Sequence, residues 1–194
     1  MKSEEVKELF EKNKALLTGH FLLSSGLHSD TYFQSAIVLQ YPEIAEKLGK
    51  AIAQKAIKAV SKINVVVSPA LGGLIIGQEV ARALGCRAIF VEKVDGKLTM
   101  RRGFAVEPNE KCLVVEDVIT TGLSTNEVIR VLKSMNADVV AVASLVDRSG
   151  GKADFSAPKI SLLDLDIKSY KSEECPLCKE GLKIVKPGSR DIKK

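Results

Sequence analysis

The sequence predicts an α/β fold: a central parallel sheet flanked by helices, with a small hood built from N-terminal and C-terminal segments. Three observations carry this. Short, almost wholly apolar runs alternate with stretches of helical period, the pattern of a parallel sheet covered on both faces. The chain has 194 residues, enough for one domain with its own core and a modest appendage. Its composition, 45% hydrophobic and 27% charged, is that of an ordinary globular domain.

Taken in order, residues 3–17 read as a helix with Val6, Leu9 and Phe10 on one face. Residues 20–41, "HFLLSSGLHSDTYFQSAIVLQY", mix short strands and turns. Pro42 opens a helix running to about Val60, with Ile44, Leu48, Ile52 and Ala56 at helical spacing. "NVVVS" (64–68) is a short buried strand, and "PALGGLIIGQEVARALG" is a loop entering a helix that ends at Gly85. "CRAIFVEKV" (86–94) is a second strand, followed by a turn with extended arms in "DGKLTMRRGFAV". "KCLVVEDV" (111–118), "DVVAVASLVD" (138–147) and "ISLLDLDI" (160–167) supply three more strands, with a helix over 124–135 between the first two. Residues 1–63 are then the N-terminal hood and helices, 64–168 the core sheet, and 169–194 a tail carrying Cys-x-x-Cys; the segment before 64 and the tail cap one edge.

No apolar run approaches the ~20 residues of a membrane span. The N-terminal segment carries acids as well as bases and has no long apolar stretch, so it does not read as a signal peptide. A cytoplasmic protein with no membrane partner is expected. The net charge of +5 favours anionic ligands, but the basic residues are dispersed, with one tail pair at Lys193 and Lys194, and no nucleic-acid partner is expected.

The chemistry concentrates in "VVEDVITTGLST" (114–125). Glu116 and Asp117 end an apolar strand, and a Thr-Thr-Gly turn leads straight into a helix. Ser124 and Glu127 have capping-box spacing. A Gly-containing turn at a helix N-terminus presents backbone N–H groups and the positive end of the dipole, which suits phosphate. The hydroxyls of Thr120, Thr121, Ser124 and Thr125 add donors. Two acids just before that cradle suit neighbouring hydroxyls, such as a ribose diol, or a hydrated divalent cation. The stretch therefore reads as a site for a ribose 5-phosphate group.

"VVEDVITTG" resembles the phosphoribosyl-pyrophosphate signature of the type I phosphoribosyltransferases. "HFLLSSGLHSDTYFQ" (20–34) and "SLVDRSGG" (144–151) are similar to segments of the orotate phosphoribosyltransferases within that family, and "SPALGG" (68–73) takes the place of the pyrophosphate loop. The resemblance spans about residues 5–170. It implies the type I phosphoribosyltransferase fold and transfer of ribose 5-phosphate from phosphoribosyl pyrophosphate to orotate, a step of pyrimidine (UMP) synthesis. It also implies magnesium carried by the pyrophosphate donor rather than held directly by the protein, and a homodimer with shared active sites. Glu116, Asp117 and Lys93 would be catalytic. Val118, Ile119, Thr120, Thr121, Gly122, Leu123 and Ser124, with Lys93 and Lys97, would bind the donor together with the two acids. Thr120, Arg148, Tyr32 and Phe33 would bind orotate, Arg148 by gripping its carboxylate with two parallel hydrogen bonds.

The chain departs from that family's pattern at Ser24, where a lysine is usual. It departs at Leu71 and Gly72, where a Tyr-Lys pair is usual, and at Glu92, where an arginine is usual. Lys97, Arg101 and Arg102 would replace the missing basic contacts, or the specificity has drifted. Two other readings stay open: a phosphoribosyltransferase for another base, such as a purine, and a non-enzymatic regulator that binds phosphoribosyl pyrophosphate.

Of the four cysteines, Cys86 and Cys112 fall on strands and read as core. Cys175 and Cys178 form one Cys-x-x-Cys: half of a zinc site, a redox pair, or a simple turn. No second pair exists to complete a tetrahedral site, so a metal would be shared across a dimer. The two histidines, His20 and His28, read as surface or hydrogen-bonding residues without metal-ligand spacing.

Overall fold

The computed structural model describes residues 1–23 and 25–187; Ser24, Lys193 and Lys194 lie outside them. In chain order the elements are α1 (Ser3–Lys12), β1 (Leu16–Leu22), β2 (His28–Phe33), α2 (Ser35–Leu39), α3 (Pro42–Ala59), β3 (Val65–Pro69) and α4 (Gly73–Leu84). There follow β4 (Arg87–Val94), β5 (Lys97–Met100), β6 (Lys111–Ile119), α5 (Leu123–Ser134), β7 (Asp138–Asp147), β8 (Lys159–Asp164) and α6 (Pro176–Lys179).

Six strands form one sheet in the order β5-β4-β3-β6-β7-β8, with only the edge strand β5 antiparallel to its neighbour. Strand β3 pairs with β4 on one side and β6 on the other, so the chain changes its direction of travel across the sheet there. That switch point lies between the carboxyl ends of β3 and β6, where open α/β sheets bind their ligands.

Alternation along each strand feeds two apolar clusters. Val66, Leu113, Val115, Ala143 and Leu145 face α1, α3 and α4, where they meet Val6, Phe10, Leu48, Ile52, Ile76 and Val80. Val65, Val67, Cys112, Val114 and Val142 face α5 through Val128, Ile129 and Leu132. Helix α4 lies close on the sheet because Gly77 has no Cβ; one there would collide with the Ser68 side chain.

The structure corrects three sequence expectations. The first helix ends at Lys12, not at residue 17, through a Schellman-type stop. Lys14 turns left-handed (φ 54°), its N–H donates to Glu11 O, and the Ala15 N–H donates to Phe10 O. Leu16 and Leu17 continue the apolar period but belong to β1. Residues 35–39, expected within a strand-and-turn segment, form α2. The segment before residue 64 is not all hood either: α1 packs on β8, and α3 on α4, β7 and β8.

The hood is the antiparallel hairpin β1–β2 with the returning tail. The His28 N–H donates to Tyr170 O (2.8 Å) and the Tyr170 N–H to His28 O (2.9 Å). On the other strand, the Leu22 N–H donates to Val185 O and the Val185 N–H to His20 O, both at 2.8 Å. A two-stranded hairpin is marginal alone; the tail extends it on both edges.

Candidate functional site

The acids stand at the switch point. Glu116 lies near the end of β6, 6% exposed; its Oε2 accepts from the Ser124 hydroxyl (3.0 Å) and its Oε1 from the Asp117 N–H (3.2 Å). Burial first, and the neighbouring Asp117 charge second, hold its carboxyl well above the usual carboxylate range. Asp117 accepts a short hydrogen bond from the hydroxyl of Ser35, at the start of α2. The loop after β3 comes up against it: a Cβ at Gly72 would lie 2.7 Å from both Asp117 carboxylate oxygens. Thus the expected pyrophosphate loop and the acids share one wall, with a cis Ala70–Leu71 peptide in that loop.

The turn after β6 is a helix N-terminus, but its cap differs from the expected one. Gly122 is the N-cap in a left-handed conformation (φ 78°), a backbone state that glycine adopts without strain. Ser124 turns its hydroxyl to Glu116 rather than closing a capping box with Glu127, whose Oε2 is buried without a partner. The direction of the missing Gly122 Cβ is inward: it would meet the Phe155 ring at 2.7 Å. Thr121, Leu123 and Ser124 are exposed at the mouth and Thr120 is half-buried, whereas Ile119 is a core side chain. Ile119 can serve a ligand only through its backbone.

Arg148 follows β7 directly. Its N–H donates to Ile119 O (2.9 Å), which sets it beside the turn after β6. The guanidinium is 3% exposed, so it is no surface residue, and it is not paired with Asp147, which binds Lys159 instead. It reaches the hood: NH1 donates to Thr31 O (2.9 Å) and NH2 to the Ser29 hydroxyl (2.6 Å). Its Nε–H is buried without a partner among the described residues. Burial lowers its pKa from the ordinary arginine value, opposed by the Asp30 charge.

Tyr32 stands between the two centres. Burial and then the Asp117 charge raise its phenol pKa, while the Arg148 charge opposes them. Its ring packs against Phe21. Phe33 is not available to a ligand: it is 4% exposed and packs edge-on against Phe10 in the core, 5.4 Å between centroids. That corrects its expected place in the orotate site, and strand alternation is the reason: Tyr32 and Phe33 necessarily point to opposite faces.

Lys93 and Lys97 are exposed on the β4–β5 hairpin, joined by an Asp95-Gly96 turn. Pro69 at the end of β3 pairs with Val91, so β4 continues past it and carries Lys93 beyond the carboxyl end of β3. Strand β3 separates this hairpin from β6, and among the described residues no ion pair or hydrogen bond joins either lysine to Glu116 or Asp117. Arg102 is held on Glu92 by two hydrogen bonds (2.9 and 3.0 Å).

Ser29, Thr31 and Ser35 carry no sequence signal of their own; their roles depend on where the hood meets β6 and β7. His20 and His28 also differ from expectation. They are buried, 4% and 6% exposed, and lie against Cys175 and Cys178 within one chain. The signal was numerical: the only two histidines and the tail cysteine pair together make a four-ligand set.

Residues 34–175 match the phosphoribosyl transferase domain. The chain is 53% identical over 186 residues to an orotate phosphoribosyltransferase of Carboxydothermus hydrogenoformans, covering 96% of this chain and 97% of that one. It is 50% identical over 192 residues to the orotate phosphoribosyltransferase of Caldanaerobacter subterraneus, covering 99% and 100%. The crystal structure of orotate phosphoribosyltransferase from Aeropyrum pernix is similar at a TM-score of 0.64 and 26% identity, covering 82% of this chain and 93% of that one. With a phosphate-type cradle, paired acids and a buried arginine around one switch point, the chain belongs to the phosphoribosyltransferase family, in its orotate phosphoribosyltransferase branch.

Proposed function

We propose that this protein transfers ribose 5-phosphate from phosphoribosyl pyrophosphate to N1 of orotate, releasing pyrophosphate and giving orotidine 5′-monophosphate for pyrimidine nucleotide synthesis. The observation that carries the reading is Arg148. Arg148 is 3% exposed, its Nε–H finds no acceptor and its guanidinium no carboxylate among the described residues, and its backbone is hydrogen-bonded to the strand of the ribose-site acids. A planar base bearing a carboxylate supplies an anionic two-oxygen acceptor for that fork; a purine offers only neutral ring and carbonyl acceptors.

The reaction displaces pyrophosphate from the anomeric carbon through a cation-like ribose, so it calls for positioning and charge complementarity more than a protein nucleophile. The first-turn amides of α5, that of Ser124 among them, and the hydroxyls of Thr120 and Thr121 hold the 5-phosphate. Glu116 and Asp117 take the ribose hydroxyls. Burial and the Asp117 charge hold the Glu116 carboxyl well above the usual carboxylate range in the free protein, and positive charge developing on the ribose opposes that shift. Arg148 and Thr120 orient the base, with Tyr32 over it. Lys93 and Lys97, on a hairpin that extends beyond β3, meet the departing pyrophosphate from a second side.

Magnesium fits the donor set. The Asp117 carboxylate is part-exposed beside the pyrophosphate loop, and the Cβ-less Gly72 leaves room against it; a hard cation prefers such oxygen ligands and diphosphate. Bound together with the donor, magnesium would supply charge neutralisation for the leaving pyrophosphate. A homodimer with shared sites and a cytoplasmic location complete the proposal, checked by light scattering and fractionation. The decisive assay is loss of orotate absorbance with phosphoribosyl pyrophosphate and magnesium. Turnover of adenine or guanine instead of orotate would refute the assignment of the base.

A further inference from the structure

Four side chains outside the proposed active site converge on one point. His20 from β1, His28 from β2, Cys175 at the start of α6 and Cys178 within it place their ligating atoms within 4.8 Å of one another. We propose that these four residues bind one structural zinc ion that clasps the C-terminal tail to the hood hairpin.

The distances fit a tetrahedron. Zn–N bonds of about 2.05 Å and Zn–S bonds of about 2.3 Å give tetrahedral edges of about 3.3 Å between nitrogens and about 3.6 Å between nitrogen and sulfur. Here His20 Nε2 and His28 Nδ1 are 2.9 Å apart. Cys175 Sγ and Cys178 Sγ lie 3.6 and 3.7 Å from His20 Nε2, and Cys178 Sγ lies 3.3 Å from His28 Nδ1. Small movements bring all four to one metal.

The surroundings prepare the ligands. His20 Nδ1 is 2.8 Å from Leu182 O. A carbonyl only accepts, so Nδ1 carries the proton and Nε2 turns its lone pair to the cluster, the usual outer support of a metal-bound histidine. The cysteine turn is closed by backbone bonds from Lys179 N–H to Cys175 O and from Gly181 N–H to Cys178 O. Two thiols and two imidazoles with no carboxylate match zinc rather than magnesium or calcium. All four positions are filled by protein, which makes the site structural, and the exposed Cys178 leaves an entry path. Zinc binding would displace the two thiol protons.

The clasp has a further consequence, which rests on the orotate reading. Ser29 and Thr31, the two residues that hold the Arg148 guanidinium, follow His28 on the same strand. Fixing His28 to the tail fixes the strand that orients Arg148.

Elemental analysis of untagged protein, purified without chelator, is expected to give about one zinc per chain. Cys178→Ser and His28→Ala should each lose most of it. Cobalt-loaded protein should show thiolate-to-metal charge transfer and tetrahedral ligand-field bands, the former weakened in Cys178→Ser. Chelation should lower the melting temperature, and zinc should restore it. These readouts do not depend on turnover, so failure of the orotate assay would leave them standing. Wild-type protein that binds no zinc on addition, holds iron instead, or is isolated with a Cys175–Cys178 disulfide would overturn the proposal. So would full zinc content in both variants.

Discussion

Replacing Arg148 tests the base site most directly, and the structure sets the size of the effect. A guanidinium has five N–H donors. Thr31 O and the Ser29 hydroxyl take two, which leaves three, including the buried Nε–H. Nε–H and one terminal N–H make a fork for a carboxylate. Lysine keeps the charge and loses the fork. One charge-assisted hydrogen bond is worth roughly 1.5–3 kcal/mol, so Arg148→Lys should lower kcat/KM for orotate about 10- to 150-fold, at ~1.4 kcal/mol per decade. Arg148→Ala removes both bonds and should lose more than about 100-fold. It also strands Ser29 and Thr31, so a thermal melt must accompany the kinetics. The assay is initial rate against orotate at saturating donor, with donor affinity by calorimetry on the same protein. Donor binding should hold, because the cradle belongs to the turn after β6. The reasoning is refuted if Arg148→Lys stays within about twofold of wild type in kcat/KM, or if donor affinity falls in step with orotate use.

Glu116→Gln should stabilise the free protein, and increasingly so with pH. The folded-state pKa of Glu116 is raised above the ordinary 4.5, so the unfolded chain loses its proton first and stability falls as pH rises from there through the folded value. The mutant's gain in melting temperature should be absent near the bottom of that window and grow as pH rises through it; parallel melting curves would contradict the buried carboxyl. Gly122→Ala should cost about 1–3 kcal/mol, from left-handed strain and the Phe155 contact, and should weaken orotidine 5′-monophosphate binding in calorimetry. An unchanged melt would disprove the left-handed cap. Gly72→Val places methyl groups against the Asp117 carboxylate and should cut turnover at least about tenfold with little loss of fold, as seen by circular dichroism; near-normal turnover would separate that loop from the acids.

The sheet was legible because its signals are local. β3, β6 and β7 carry Val-rich apolar stretches without helical period, and α3 and α5 follow Pro42 and the Thr-Thr-Gly turn. The acids were legible because strand end, small-residue turn and helix are contiguous. What was not legible depends on distant parts of the chain. Nothing local says that a lysine at position 14 turns left-handed and ends α1 early, or that Ser35 reaches Asp117 across the fold. The family resemblance puts both Tyr32 and Phe33 in the base site, whereas strand alternation sends one of the two rings to the core, and the packing against Phe10 shows it is Phe33. Spacing along the chain gives the histidines no partner, because His20 and His28 are brought to Cys175 and Cys178 by tail-to-hairpin pairing.

The placement of that pairing bears on how the base site is held. The phosphoribosyl transferase match begins at residue 34 and ends at 175, so β1 and β2 precede it and Cys178 follows it. The sheet, the acids and the cradle lie within the matched segment; the two groups that grip Arg148 do not. Ser29 and Thr31 come from a two-stranded hairpin, which is marginal alone. Its order rests on core anchors such as Phe33 against Phe10, and on a tail joined to it by four backbone hydrogen bonds. On the proposed assignment, the donor site would rest on the sheet alone, whereas orotate selection would depend on a strand that the tail helps to hold. Loosening the tail should raise KM for orotate before it changes donor affinity, and that order of loss separates a hood that orients Arg148 from one that merely covers the sheet.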